Sequence, residues 1–292
     1  MLKPLGLIAL ILFPATFATN GLLAGDVGTS KSFHGPVGLV SPYSLRDLQK
    51  SQGLEAALDK TRSFGFRYVE FGSDFGGLKP AAFKAEFDRR GLVPVGLHFS
   101  YEQIRDDVEG VVAAAKVMNV SRIGCAWIPH KDPFDAEQCR AAAAVFNRAG
   151  AALAKHGMQL YYHTHGYEFR PFGQGTIFDL LVAKTSPKTL MFEMDVAWVV
   201  LPGQDPAELI KKYPDRWLLM HVKDLKKGVP HNHMVKAALT DQVPVGSGQV
   251  DWPKVLCAAQ EAGVKYFLIE DESPAVIEQI PQSLRYLESV SW

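Results

Sequence analysis

From residue 37 onward the chain alternates between two kinds of hydrophobic spacing. Short apolar runs bounded by turn residues predict buried strands, and longer segments with apolar positions three and four apart predict amphipathic helices. Strands are expected at 37–40, 66–71, 92–98, 121–127, 158–163, 190–194, 217–222 and 266–270. Helices are expected at 54–64, 79–90, 104–118, 135–156, 177–185, 206–212, 253–262 and 274–290. Gly65, Gly91, Gly157 and Gly263 stand where helices must stop. Strand then helix, repeated to the end of the chain, implies parallel strands joined by crossover helices. The expected fold is therefore a single (β/α)8 TIM barrel over residues 35–292. An open doubly wound sheet would carry a Gly-rich phosphate turn after its first strand, and none follows 37–40. Gly246-Ser247-Gly248 comes late, and Asp251 after it reads as a helix N-cap.

Barrel enzymes place their chemistry at the C-terminal ends of the strands. Here those ends are charged although the residues before them are apolar. They carry Glu70, His98, Glu193 and Asp195, His221 and Lys223, and Glu270 with Glu272. Unpaired buried charge costs several kcal/mol, so these groups need partners or an ion. The run Leu160-Tyr-Tyr-His163-Thr-His165-Gly-Tyr-Glu168 ends the fifth strand with two histidines at i and i+2 and a carboxylate three positions on. Residues two apart on a strand share a side, so His163 and His165 are expected to face one place as a metal or proton-transfer site. Asp195, His221 and Glu270 are the strongest site candidates from the other strands. Glu193, one step deeper than Asp195, reads as a structural partner. Glu70, His98, Trp198 and Lys223 are expected to touch substrate. His231 and His233 fall in the long loop 224–250, rich in Pro and Gly, and read as solvated; the loop itself is a candidate lid.

Composition narrows the partner. Lys+Arg and Asp+Glu both number 31, so the formal net charge is zero and no nucleic-acid or polybasic membrane surface is expected. Met1-Leu2-Lys3, an apolar run over 5–13 and small residues after it predict a signal peptide within 1–24 and export, periplasmic or secreted. That run is short for a membrane span. Three scattered cysteines exclude a disulfide framework, and Cys125 and Cys257 are expected in the core.

Several stretches, in order, resemble the xylose-isomerase-like TIM barrels, the sugar phosphate isomerase/epimerase group. They are Gly65-Phe-Arg-Tyr-Val-Glu70-Phe71, His163-Thr-His165-Gly-Tyr-Glu168-Phe169, Asp195-Val-Ala-Trp198, His221-Val-Lys223-Asp224, Val245-Gly-Ser-Gly248-Gln-Val-Asp251-Trp252 and Ile269-Glu270. The resemblance implies one divalent metal ion (Mn, Zn, Co or Fe) at the barrel mouth, held by Asp195, His221 and Glu270. His165 or Glu168 would supply the fourth ligand from strand five, with His163 beside it. Trp198 stands where many epimerases of the group carry histidine. The implied reaction is proton abstraction next to a carbonyl by Glu168 or Glu270, assisted by His163, with the metal stabilising an enediolate. Isomerisation, epimerisation and expulsion of a β-substituent share those steps. Export favours an unphosphorylated sugar, keto-sugar, glycoside or polyol as the small-molecule partner; a metal-dependent lyase or hydratase on a keto-glycoside or inositol derivative, a DNA-cleaving relative and a non-catalytic sugar-binding barrel are the alternatives.

Overall fold

The computed structural model describes residues 31–232 and 237–292. The expected signal segment within 1–24 and His233 lie outside the described residues. Eight parallel strands close into one barrel. They are β1 (Val37–Val40), β2 (Tyr68–Gly72), β3 (Val93–Phe99), β4 (Arg122–Cys125), β5 (Gln159–His163), β6 (Met191–Asp195), β7 (Trp217–Val222) and β8 (Tyr266–Ile269). Each pairs with its neighbours in chain order, and β1 closes the circle on β8 through Val37↔Phe267 and Leu39↔Ile269.

Alternation along each strand divides the side chains between two cores. One set points outward and packs under the helices. Leu39, Val69, Phe71, Leu97, Ile123, Leu160, Tyr162, Phe192, Met220 and Phe267 belong to this large layer. The other set fills the barrel: Val40, Val95, Tyr161, Leu219 and Leu268, with Tyr68 and Met191 against them. Continuing upward by twos, the same inward rays run from Tyr161 to His163, from Met191 through Glu193 to Asp195, from Leu219 to His221, and from Leu268 to Glu270. The barrel therefore has an apolar floor and an ionisable top.

The helices follow the predicted spacing with instructive departures. Residues 104–118 form two helices, Tyr101–Asp106 and Val108–Met118, because Asp107 turns its side chain onto the Gly110 N–H and caps the second. Two short helices, Arg46–Gln52 and Val196–Val200, were not expected. Cys125 and Cys139 are buried, but Cys257 is only partly so, which corrects its placement in the core. Asp251 caps the helix Trp252–Glu261. Among the described residues, no helix is long and apolar enough to cross a membrane.

Candidate functional site

The strand ends surround a pocket of about 490 Å³, a size suited to a small molecule. Its lining includes Glu70, His98, His163, His165, Trp198, His221, Lys223, Glu270 and Glu272. Two tiers of ionisable groups lie at its base.

The upper tier is His163, Asp195, His221 and Glu270, whose donor atoms all lie within 4.8 Å of one another. Asp195 starts the helix Val196–Val200 and accepts the Trp198 N–H on Oδ1 at 3.2 Å. That cap commits one oxygen, while Oδ2 is buried without a hydrogen bond and lies 3.8 Å from His163 Nε2. Burial raises the Asp195 pKa, an effect countered by the Lys223 ammonium. Lys223 sits among three carboxylates, with Nζ at 2.7 Å from Glu270, 2.8 Å from Glu272 and 3.4 Å from Asp195. Burial opposes the ammonium, but these anions hold its pKa well above the ordinary value.

The lower tier is Glu70, His98 and Glu193, a second group of close donors. His98 Nε2 lies 3.1 Å from Glu193 and 3.2 Å from Glu70. Burial disfavours its charge, yet the two carboxylates push its pKa up to about 10. The tiers touch through the upper histidines. His163 Nδ1 meets Glu193 Oε2 at 3.1 Å, and His221 Nε2 meets Glu70 Oε2 at 2.5 Å while its Nδ1 faces Glu270 at 3.1 Å. Tyr161 donates from below to Glu70 Oε1. Two glycines make this tier possible. A Cβ at Gly96 would meet Glu70 Oε1 at 2.4 Å, and one at Gly124 would meet the His98 ring at 2.1 Å.

These positions revise several expectations. Glu168 is not among the converging donors. It is completely buried, it accepts the His165 N–H at 3.0 and 3.2 Å, and Tyr162 donates to it. The 3-10 turn Tyr167–Phe169 folds that carboxylate under the backbone, away from a ligand or base position. The strand-five member of the upper tier is His163, not His165, because β5 ends at His163 and alternation lapses beyond it. His165 still lines the pocket, its ring 4.8 Å from that of His163. Burial, reinforced by His163, holds its pKa well below the ordinary imidazole value, so the ring is neutral. Glu70, expected to touch substrate, spends both oxygens on Tyr161, His98 and His221. His98 lines the pocket but is likewise tied to two carboxylates. Trp198 is nearly buried and lies under Lys223, with Nζ 5.1 Å from the ring centroid. His231 is exposed and touches the Val200 carbonyl, outside the pocket.

Sequence reasoning placed Glu272 at a strand end but missed its partners, Tyr43 in the pocket wall and Gln242 behind it. Tyr43 donates to Glu272 at 3.0 Å, and Gln242 exchanges hydrogen bonds with its side chain and its N–H. The signal for Glu272 was present, since it stands two residues after Glu270. Asp224 anchors the following loop, taking the N–H groups of Gly246 and Gly248 at 3.1 Å and the Trp252 indole at 2.8 Å. That explains the spacing of Asp224 from the Val-Gly-Ser-Gly stretch without any phosphate cradle.

The upper tier fits a divalent cation. Two imidazoles and two carboxylates suit Mn, Zn, Co or Fe without choosing among them, and Asp195 Oδ2 is a desolvated lone-pair donor with no hydrogen bond among the described residues, faced by the Lys223 ammonium at 3.4 Å.

The family pattern described as xylose isomerase-like TIM barrel matches residues 58–290. An inosose dehydratase of Lacticaseibacillus casei is 24% identical over 283 residues, spanning 86% of this chain and 92% of the relative. A sugar phosphate isomerase/epimerase structure from Parabacteroides distasonis ATCC 8503 superposes with a TM-score of 0.70 at 24% identity, covering 88% of this chain and 95% of that one. The structure of the IolI protein with a binding zinc atom superposes with a TM-score of 0.66 at 14% identity, over 87% and 98% of the two chains. At these identities the structural likenesses speak for the fold, and the matched pattern speaks for the lineage. The chain belongs to the xylose isomerase-like TIM barrel family.

Proposed function

We propose that this protein is a divalent-metal-dependent enzyme that removes a proton next to a carbonyl of an unphosphorylated sugar, keto-sugar or cyclic polyol ketone. The observation that carries the proposal is the convergence of His163, Asp195, His221 and Glu270 at the base of the pocket. When bound there, the cation would act as a Lewis acid on the substrate carbonyl and an adjacent hydroxyl.

The chain's own groups divide the remaining work. Glu270 Oε2 is held by His221 and Lys223, which leaves Oε1, free of a hydrogen bond among the described residues, as the oxygen we assign to accept the α-proton. Lys223 supplies a fixed positive charge beside the carbonyl oxygen, where negative charge develops. His165, neutral in the pocket wall, is the second proton-transfer group. The buried position of Glu168, clamped on the His165 N–H, speaks against that role for it. The inosose dehydratase relatives support β-elimination of water as the outcome. In that reaction the α-C–H electron pair forms the new double bond, the β-C–O bond breaks, and the proton taken by Glu270 passes to the departing hydroxyl, which leaves as water. Isomerisation or epimerisation is the second reading, favoured by the structural likeness to the sugar phosphate isomerase/epimerase. The residues within 1–24 support export, which we propose as the location and as a reason for an unphosphorylated substrate.

The test is a panel of keto-sugars and inosose-like ketones in deuterated water with Mn²⁺, followed by NMR. Loss of water identifies the dehydratase, and deuterium next to the carbonyl with an intact skeleton identifies the isomerase or epimerase. Binding without either marks a sugar-binding barrel. Full turnover by Glu270→Gln, or by metal-free protein, would sink the proposal.

A further inference from the structure

Each upper histidine has one nitrogen toward the other upper-tier donors and one toward a carboxylate of the lower tier. His163 turns Nε2 to Asp195 and Nδ1 to Glu193. His221 turns Nδ1 to Glu270 and Nε2 to Glu70. The two rings are used in opposite senses; Glu70 serves His221, while Glu193 serves His163 and also lies 3.2 Å from His221 Nε2 through Oε1. We propose that Glu193 and Glu70 are positioning residues that fix the ring orientation and tautomer of His163 and His221, so that His163 presents Nε2 and His221 presents Nδ1 to a divalent cation. This rests on the cation-binding reading of the upper tier and extends it to residues that never meet the cation.

The geometry excludes the bland alternative of a separate charge pair. Glu193 and Glu70 are fully buried, and together they accept from both upper histidines. His98 ties them together, with Nε2 within 3.2 Å of both, and the Tyr161 hydroxyl fixes Glu70 from the apolar floor. A carboxylate that takes the far N–H of a ligating imidazole fixes the near nitrogen as the lone-pair donor and raises its basicity. The sequence logic is the inward ray of alternate residues. Glu193 stands two residues below Asp195, and the register pairs His163 with Glu193 and Asp195 with His221. The same strand thus delivers one donor and the support for the donor beside it.

The experiment uses the full chain with ¹⁵N-labelled histidine, Zn²⁺ as the probe, and the variants Glu70→Met, Glu193→Met, Glu70→Gln and Glu193→Gln. Calorimetry should show Zn²⁺ affinity falling about 10–100-fold in each Met variant and less in each Gln variant, which keeps an oxygen acceptor. In the Zn²⁺-loaded wild type, NMR should show the proton on Nδ1 of His163 and on Nε2 of His221. In metal-free protein the slowly exchanging His163 Nδ1–H signal should vanish in Glu193→Met; the His221 Nε2–H signal should weaken in Glu70→Met and vanish when both carboxylates are replaced. Folded Met variants that bind Zn²⁺ like the wild type, or the reversed tautomers, would overturn the inference. If the wild type binds no Zn²⁺, the cation reading fails by itself, and the metal-free N–H signals still decide whether these carboxylates hold the rings.

Discussion

The Glu168 carboxylate clamps the backbone of His165, whose N–H lies 3.0 Å from one oxygen and 3.2 Å from the other. The clamp continues as a directed chain. The Ile128 N–H donates to the Tyr167 hydroxyl at 3.2 Å, Tyr167 reaches Tyr162 at 2.5 Å, and Tyr162 donates to Glu168. Loop backbone after β4 is thereby tied to loop backbone after β5, beneath the pocket wall.

Glu168 should leave a signature in the pH dependence of stability. Burial raises its pKa in the folded protein to about 7 from an ordinary 4.5. The folded state then holds the proton over a range where the unfolded state has released it. The stabilising contribution is complete below about pH 4.5 and is lost as pH rises through about 7, a change on the order of 3 kcal/mol. Urea unfolding from pH 4.5 to 8 should therefore show a wild-type slope that Glu168→Gln flattens. Parallel curves for the two proteins would refute the assignment.

Removal of an upper-tier donor should weaken cation binding more than loss of a group that only orients one. Asp195→Asn keeps an oxygen for the Trp198 N–H cap but removes the anionic Oδ2. We expect its Mn²⁺ or Zn²⁺ affinity to fall by more than roughly 100-fold, the upper end for orienting groups. Turnover should be lost on dialysis against chelator and return with added metal. Calorimetry alongside the deuterium-exchange assay measures both, and wild-type metal affinity in Asp195→Asn would remove Asp195 from the ligand set.

Lys223→Met should destabilise metal-free protein by about 3–5 kcal/mol, because it leaves the buried Asp195 and Glu270, and the half-buried Glu272, without the ammonium they share. A bound cation replaces part of that charge, so the deficit should shrink at saturating Zn²⁺. Chemical unfolding with and without Zn²⁺ gives the comparison, and an equal deficit in both conditions would contradict it.

The lower tier is seated on glycine. Gly124→Ala drives a methyl into the His98 ring and Gly96→Ala drives one into Glu70 and the Tyr161 hydroxyl. Overpacking of this kind costs about 1–3 kcal/mol. Both variants should also bind Zn²⁺ more weakly although neither glycine touches the cation. Thermal unfolding and calorimetry check the pair; unchanged affinity in both would show that the tier tolerates displacement.

Much of the architecture was already legible in residue spacing. Apolar runs, helix-stopping glycines and the strand–helix repeat determined the barrel, since period-2 and period-3.6 burial are local properties of the chain. Alternation also carried Asp195, His221 and Glu270 to the mouth, because each continues an inward ray above Met191, Leu219 and Leu268. Local pattern failed where the strand stopped. Past His163 nothing in the spacing says which way a side chain turns, and the turn Tyr167–Phe169 sent Glu168 under the backbone while leaving His165 in the pocket wall. Nor does the sequence show that Glu70 supports His221 across 151 positions, or Glu193 supports His163 across 30. Those pairings depend on barrel closure and on the register between strands. The residues that stand at the mouth were thus determined by the chain itself, and which of them hold one another was decided only when the eight strands met.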